Sequence, residues 1–519
     1  MKRVSINKLR GFYKNLRGNK QINIFLKLKK FNYLYLSCFL SRDDREFDTC
    51  NYSLLQKLKL NKKITIKSFF KKTKKINGFD RYLMNLKEYK YLPHNYLPLN
   101  LLKDIFKSFL QIFDILGIFL ITFLYGLIKF FIKDEKINYG FQNEKIYSIY
   151  YWKKKGSLSA EYYYPDLVAQ KNQIFISSFC DVRIFSLGLL HSLINSKFLS
   201  PPRVLNLKGL ILSTFQFLHL LIYEVYLFSF KKNFSFLTFW IGWSKAPEIF
   251  YSILIYNSMI KLAKVSNQCE FISWHENQIT NKSFSLGVNY AKRKFFTSNI
   301  LSCFNGTLFS KQIKNQFLPL KSEFEIGFWG NKYYLQDEGS LKEMKSHCKS
   351  ENLNISLEVT SNAMQRYETS YEIKKNKSNL KRNITVFTHA SYWDLLACLL
   401  SIFNDVNSPF NSPKNLKDKS KYIYIRLHPA LNEKDAREEI RRIAEIPEFV
   451  NYEFIHNIKE SFTTSIKSSN YCYFGESSYI NLAIELKSKV FSVETNHLND
   501  PPIKSELINS PNLFFSSPW

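Results

Sequence analysis

Acidic residues are scarce where the chain begins. From Met1 to Arg42 there are eleven Lys or Arg and no Asp or Glu, and a second acid-free run spans Thr49 to Phe79. Blocks of this kind stay solvated or lie against an anionic surface. The eight cysteines never form a C-x-x-C pair, which argues against a disulfide framework or a zinc site and fits a reducing cytosol. The amino terminus is basic but lacks an uninterrupted apolar stretch ending in a small-residue cleavage site, so no signal peptide is expected. No D-x-D spacing is present to hold a divalent ion between strands. Nor does any nucleic-acid recognition motif interrupt the basic excess, and nucleic acid is not an expected partner despite a formal charge of +31.

What is present is enough apolar material for more than one core: 45% of 519 residues are hydrophobic. Ser108–Ile132 is the most hydrophobic segment, but Asp114 and Lys129 confine its uncharged centre to Ile115–Ile128. That is short of the roughly 20 apolar residues a bilayer span needs, leaving a buried core helix, a membrane-dipping helix or a marginal span. Lys103, Lys107, Lys129 and Lys133 flank it and favour an anionic leaflet, so a cytoplasmic protein peripheral to the inner face of the membrane is expected. Leu205–Phe230 is apolar too, but Lys208, His219 and Glu224 break it into a core-helix pattern.

From Tyr147 onward the pattern is α/β. Gln173–Phe179 reads as a strand and Phe185–Ile194 as a helix. Phe236–Val265 reads as a helix pair around Ala246-Pro247. Glu270–Ala291 reads as a strand ending in Trp274-His275-Glu276-Asn277, with Asn281-Lys282-Ser283 opening a helix. Adjacent His275 and Glu276 at a strand end suit a general base or a clamp on an acceptor hydroxyl; the same letters also serve a capped turn. Asn305–Leu320 and Glu323–Tyr334 read as strand–turn pieces that end in Gln336-Asp337-Glu338-Gly339.

Residues 371–383 are almost devoid of apolar side chains and read as a linker. After it, strands at Asn383–Thr388, Tyr422–Leu427, Tyr452–Ile455, Tyr471–Phe474 and Val490–Val493 alternate with helices at Leu395–Phe403, Glu433–Ala444, Phe462–Ser468 and Tyr479–Leu486. That alternation predicts a parallel, doubly wound sheet. The expected division is a basic region over 1–140, a first Rossmann-like domain over 141–370, the linker, and a second over 384–519.

Two polar marks sit where strands of the second domain stop. Arg426 and His428 share one face by period-two alternation, and Pro429 fixes the turn after them. Ser477-Ser478 opens a helix, where amides, hydroxyls and the positive helix end favour phosphate, although Ser is also an ordinary N-cap. Glu485 further along that helix has the chemistry to accept the hydroxyls of a ribose.

R-L-H-P, then a helix, a strand, S-S-x-x-x-L-A-I-E and K-V-F-S-V-E, resembles the nucleotide-binding domain of GT-B-fold glycosyltransferases. Within them the run is similar to bacterial capsule and lipopolysaccharide O-antigen proteins with a His-Pro and a Ser-Ser motif for CMP-activated sugars. Tyr163-Tyr164-Pro165-Asp166-Leu167 and W-H-E-N-Q resemble the first half of such proteins. The resemblance spans Tyr147–Val493 and implies a fold of two Rossmann-like domains behind a basic, partly hydrophobic extension. It implies a metal-independent, cofactor-free glycosyltransferase that takes a nucleotide sugar donor and a glycan or glycolipid acceptor. His428 would contact the nucleotide phosphate, Ser477 and Ser478 would hold its oxygens, and Glu485 the ribose. Asp337-Glu338-Gly339 matches the D/E-D/E-G letters that carry the general base in sialyltransferase-like relatives, and Glu276 is the competing candidate. A CDP-polyol phosphate transferase of teichoic-acid type, or a non-catalytic assembly protein, remains the alternative reading.

Overall fold

The computed structural model describes residues 140–149, 173–176, 198–230, 246–274, 279–304, 321–335, 338–359, 382–388, 422–427, 453–455, 462–475, 477, 479–493 and 507–516, with single positions at 113–127, 319, 395–402, 437, 440 and 503. The helix expected at Phe185–Ile194, the motif Tyr163–Leu167 and residues 305–318 lie outside the described residues.

Two parallel sheets organise the rest. The first contains β1 (Lys145–Ile149), β2 (Gln173–Ile176), β3 (Phe198–Leu199), β4 (Glu270–Trp274), β5 (Ile300–Phe304), β6 (Lys332–Leu335) and β7 (Ser356–Val359), in the spatial order β3-β2-β1-β4-β5-β6-β7. The second contains β8 (Arg382–Phe387), β9 (Tyr422–Arg426), β10 (Glu453–Ile455), β11 (Ser469–Phe474), β12 (Lys489–Val493) and β13 (Leu513–Ser516), in the order β10-β9-β8-β11-β12-β13. Every pairing between these strands is parallel, as the helix-strand alternation predicts. The protein is therefore α/β with two Rossmann-like sheets.

Parallel strands need both faces covered, and the second sheet shows how the sequence meets that demand. Ile384, Val386, Ile423, Ile425 and Tyr473 bury on one face with Leu395, Cys398 and Leu399. Phe387, Cys472, Phe474 and Val490 bury on the other with α7 (Phe462–Lys467) and α8 (Tyr479–Glu485). The alternate residues of near-continuous apolar runs thus serve two cores. β8 begins at Arg382, so the last two residues of the expected linker already belong to a strand.

In the first domain the connection from β3 to β4 carries α1 (Pro201–Val204), α2 (Leu207–Phe230) and α3 (Ala246–Val265). Ser200 caps α1 by accepting from the Arg203 amide, with Pro201 in the first turn where its missing N–H costs nothing. Asn206 caps α2 by accepting from the Gly209 amide at 2.9 Å. α3 starts at Ala246-Pro247, the break the sequence marks, and packs on α4 (Ile279–Phe295). A Cβ on Gly287 would lie 2.6 Å from the Tyr256 carbonyl oxygen, so glycine sets that helix spacing.

The start of the stretch read as strand and turn from Glu323 belongs instead to a helix, α5 (Lys321–Ile326). Its Glu-Phe-Glu alternation imitates a strand, but Glu323 is buried among helix contacts rather than turned to solvent. α6 (Glu338–Glu351) then leads into β7.

Candidate functional site

Open parallel sheets bind ligands at the carboxyl ends of their strands, where the strand order reverses. The first sheet reverses between β1 and β4, because β1 leads outward to β2 and β3 while the chain returns to place β4 on the other side of β1. His275 and Glu276 are the two residues that follow Trp274, the last residue of β4. They lie outside the described residues, yet the chain enters them from this switch point and leaves at Ile279 into α4.

The exit is fixed. Thr280, Asn281, Lys282 and Ser283 are all buried in the first turn of α4. Lys282 Nζ lies 3.4 Å from Glu323 Oε1 on α5, with both side chains essentially inaccessible, and sits 5.5 Å from the centroid of the Phe328 ring. Trp329 Nε1 donates to the other oxygen of Glu323 at 3.2 Å. Asn289, further along α4, donates to the carbonyls of Gly327 and Trp329 at 3.0 Å each. The sequence presents Asn281-Lys282-Ser283 as a helix start; the partner that pairs with Lys282 comes from 41 residues later and no local pattern announces it.

Asp337 also lies outside the described residues, two positions past the end of β6. β6 is two strands from β4, about 10 Å away at the usual inter-strand spacing, so Asp337 and Glu276 leave the sheet at different places. Of the two, Glu276 follows the strand at the switch point.

The second sheet reverses between β8 and β11, whose carboxyl ends are neighbours. Ser477 follows β11 and is buried, and its carbonyl accepts from the Ile480 amide at 3.2 Å. Ser478 lies outside the described residues. His428 and Pro429, also outside them, follow β9, the strand next to β8.

Described side chains at these ends form an aromatic floor. Phe387, the last residue of β8, stacks on Phe474, the last of β11, with centroids 4.5 Å apart and planes 8° from parallel. Phe462 at the start of α7 stacks on Tyr479 at the start of α8, at 3.8 Å. The Arg426 guanidinium covers Phe462 at 4.2 Å and donates to Ser465 Oγ at 3.3 Å. Past β8, the Thr388 amide donates to the Arg426 carbonyl at 3.1 Å. The sequence shows the serines but not this floor, since Phe387, Phe462 and Tyr479 resemble ordinary core residues until the topology brings them to one sheet edge.

Two of the expected nucleotide contacts have described side chains. The Arg426 guanidinium is engaged by Phe462 and Ser465. Glu485 is exposed at the far end of α8, about 9 Å along the axis from Tyr479.

The titratable groups elsewhere have structural explanations. At the amino-end rows of the first sheet, Glu270 accepts from Ser302 Oγ and from the Tyr334 hydroxyl at 2.7 Å, and Lys332 pairs with Glu358 at 2.8 Å. Burial, reinforced by Glu270, pushes the Tyr334 hydroxyl up to about 12. Burial also pushes the thiols of Cys303 and Cys472 up to about 12 and that of Cys348 up to about 11, so these three stay protonated at neutral pH and are poor nucleophiles. Among the described residues, no group of three or more His, Cys, Asp or Glu is placed to hold a metal ion.

No protein-family model matches the chain, and no curated protein sequence matches it. Solved structures do align. One is UDP-GlcNAc 2-epimerase from Methanocaldococcus jannaschii, 11% identical, with 52% of this chain and 72% of that one covered at a TM-score of 0.31. Another is a UDP-N-acetylglucosamine 2-epimerase, 10% identical, with 69% of this chain and 80% of that one covered, also at 0.31.

Proposed function

We propose that the chain is a nucleotide-sugar enzyme, a GT-B-type glycosyltransferase that moves a sugar from an activated donor, with CMP-linked sugars favoured, to a glycan or glycolipid acceptor of the cell surface. One observation carries this reading. Each doubly wound sheet has a single switch point, and the chain leaves the strand there into residues of complementary chemistry: an acid, Glu276, after β4, and a paired hydroxyl, Ser477-Ser478, after β11.

In this reading the second sheet binds the donor. Ser477 and Ser478 donate to the phosphate, His428 approaches it from the neighbouring strand end, and the aromatic floor keeps water from below. Hydrogen bonds to the leaving nucleotide gain strength as negative charge develops on it. Glu276 accepts the proton of the acceptor hydroxyl as that oxygen attacks the anomeric carbon, and His275 beside it orients the hydroxyl. Positive charge and amides at the second sheet stabilise the departing phosphate, so these chain groups supply the acid-base and electrostatic work.

The test is a thermal-shift panel with CMP, CDP, UDP and GDP on the full chain. A ligand at a hundred times its Kd stabilises the folded state by about 2.7 kcal/mol, which a shift of a few degrees reports. The expected result is stabilisation by a cytidine nucleotide. No shift with any of the four removes the nucleotide reading in favour of an assembly protein. Turnover of a CDP-polyol rather than a CMP-sugar selects the polyol-phosphate transferase, and isomerisation of the sugar without an acceptor replaces transfer by epimerisation.

A further inference from the structure

A pair of packed helices turns large apolar side chains outward as well as inward. The described residues at 113–127 are helical, and they pack against α2. A Cβ on Gly126 would lie 2.6 Å from Leu210 Cδ1, while Phe119 stacks on Phe250 at 6.2 Å, where Phe217 also packs at 5.1 Å. Position 126 thus opposes 210 and position 119 lies toward 217, so the two helices run antiparallel.

Their inward side is mixed, with Leu210 and Phe217 buried beside polar groups. Thr122 and Ser213 are buried, and Asn257 on α3 donates to Ser213 Oγ at 2.8 Å and to Gln216 Oε1 at 2.7 Å. Those bonds fix the rotation of α2, so its outward residues are not a core face in the wrong register. The outward side is apolar: Leu120 is 58% exposed, Phe113 67% and Phe215 65%. Of sixteen exposed large hydrophobics among the described residues, eleven lie on these two helices. A soluble monomer rarely leaves so many adjoining apolar side chains in water, and a patch of this kind marks an interaction surface.

Charge chooses the partner. Lys208 is exposed at the start of α2, and around the 113–127 helix Lys103, Lys107, Lys129, Lys133 and Lys136 stand against Asp104, Asp114, Asp134 and Glu135 in sequence. α2 carries one acid in its sequence, Glu224. With a formal charge of +31, two copies of this chain repel, which disfavours a self-dimer through this face. Among the described residues no helix is long and apolar enough to cross a membrane. We infer that the paired outward face of 113–127 and α2 docks on an anionic phospholipid bilayer, its apolar side chains entering the headgroup–acyl boundary and its lysines meeting lipid phosphates. This rests on the packing of the two helices, independently of the proposed catalysis.

The test is flotation of the full chain with vesicles of phosphatidylcholine alone or with about 30 mol% phosphatidylglycerol, an amount that gives the surface an anionic potential. The wild type is expected to float with the anionic vesicles, less with the neutral ones, and less again in 1 M salt. The Leu120→Gln/Phe215→Gln variant is expected to lose about tenfold in partitioning with its melting temperature unchanged, since both positions are exposed. Failure of the wild type to float, or equal flotation of the variant, overturns the inference. So does a dimer of the wild type that the variant dissolves while flotation persists, which would identify a second copy as the occupant. Phe215→Trp guards against a variant that misfolds: brominated lipids should quench it in excess of the wild type, and no excess quenching overturns the inference equally.

Discussion

The two sheets share a topology and hold their switch points by different chemistry. In the first, the segment that carries Glu276 is pinned at its exit by polar groups taken out of water: Lys282 against Glu323, Trp329 on the same carboxylate, and Asn289 across two carbonyls. In the second, the strand ends rest on stacked rings, Phe387 on Phe474 and Phe462 on Tyr479, with Arg426 capping the stack. The difference fits the jobs proposed for them. A proton acceptor must be held at one place and angle, which directional buried bonds provide; a nucleotide phosphate needs donors above a dry surface, which packed aromatics provide.

The sharpest way to break the comparison is Glu276→Gln. If the first switch point supplies the base, this change lowers turnover by about 10²- to 10⁴-fold while leaving nucleotide stabilisation unchanged. Asp337→Asn, two strands away, should leave turnover within a small factor. A reversal of the two results moves the base to the end of β6.

Next in size is the mount of that segment. Lys282→Ala leaves the buried Glu323 carboxylate without its cation and should cost about 3–5 kcal/mol in urea unfolding. The double change Lys282→Met/Glu323→Gln keeps an acceptor for Trp329 and restores most of the loss, because a well-packed neutral pair costs less desolvation than a broken ion pair. If the single variant is no less stable than the wild type, the exit of the Glu276 segment is not held by this pair.

A third change tests the polar character of the first domain away from its site. Asn299 is fully buried, donates to the carbonyls of Ala263 at 2.7 Å and Ser266 at 3.0 Å, and accepts from the Cys269 amide at 3.0 Å. It therefore joins the end of α3 to the start of β4. Asn299→Asp replaces two donors by an acceptor facing carbonyls, and should cost about 1–3 kcal/mol in the same experiment, more at neutral than at acidic pH.

How much of this was legible depends on how local the cause is. The strands of the second sheet stand out because each is a β-branched or aromatic run bounded by polar turns, and five of its six appear at nearly their observed limits. β13 escapes, since Leu513–Ser516 follows a proline-rich stretch and is only four residues long. In the first domain β3 has two residues, and β7 is half-exposed with Glu358 in its middle, so neither carries an apolar run to recognise. At the sites, His-Pro and Ser-Ser show themselves as punctuation after strands. The Lys282–Glu323 pair and the aromatic floor do not, because each is assembled by topology from segments tens of residues apart.

The smallest predicted effect separates a ligand contact from an ordinary cap. Ser477 is buried and its backbone carbonyl already turns the chain into α8 by accepting from Ile480, a bond that survives removal of the side chain. Ser477→Ala should therefore weaken nucleotide binding by about fivefold, the worth of one hydrogen bond of about 1 kcal/mol, with the melting temperature of the unliganded protein hardly changed. A hydroxyl that serves only as an N-cap gives the opposite pair of results: about 1 kcal/mol lost in unliganded stability and no change in affinity. α8 has only seven residues, so little macrodipole stands behind an anion there, and the hydroxyl and neighbouring amides must supply most of the recognition. Ser478→Ala repeats the measurement one position on; a loss of affinity at 478 with none at 477 assigns the buried serine to the fold and the next one to the phosphate.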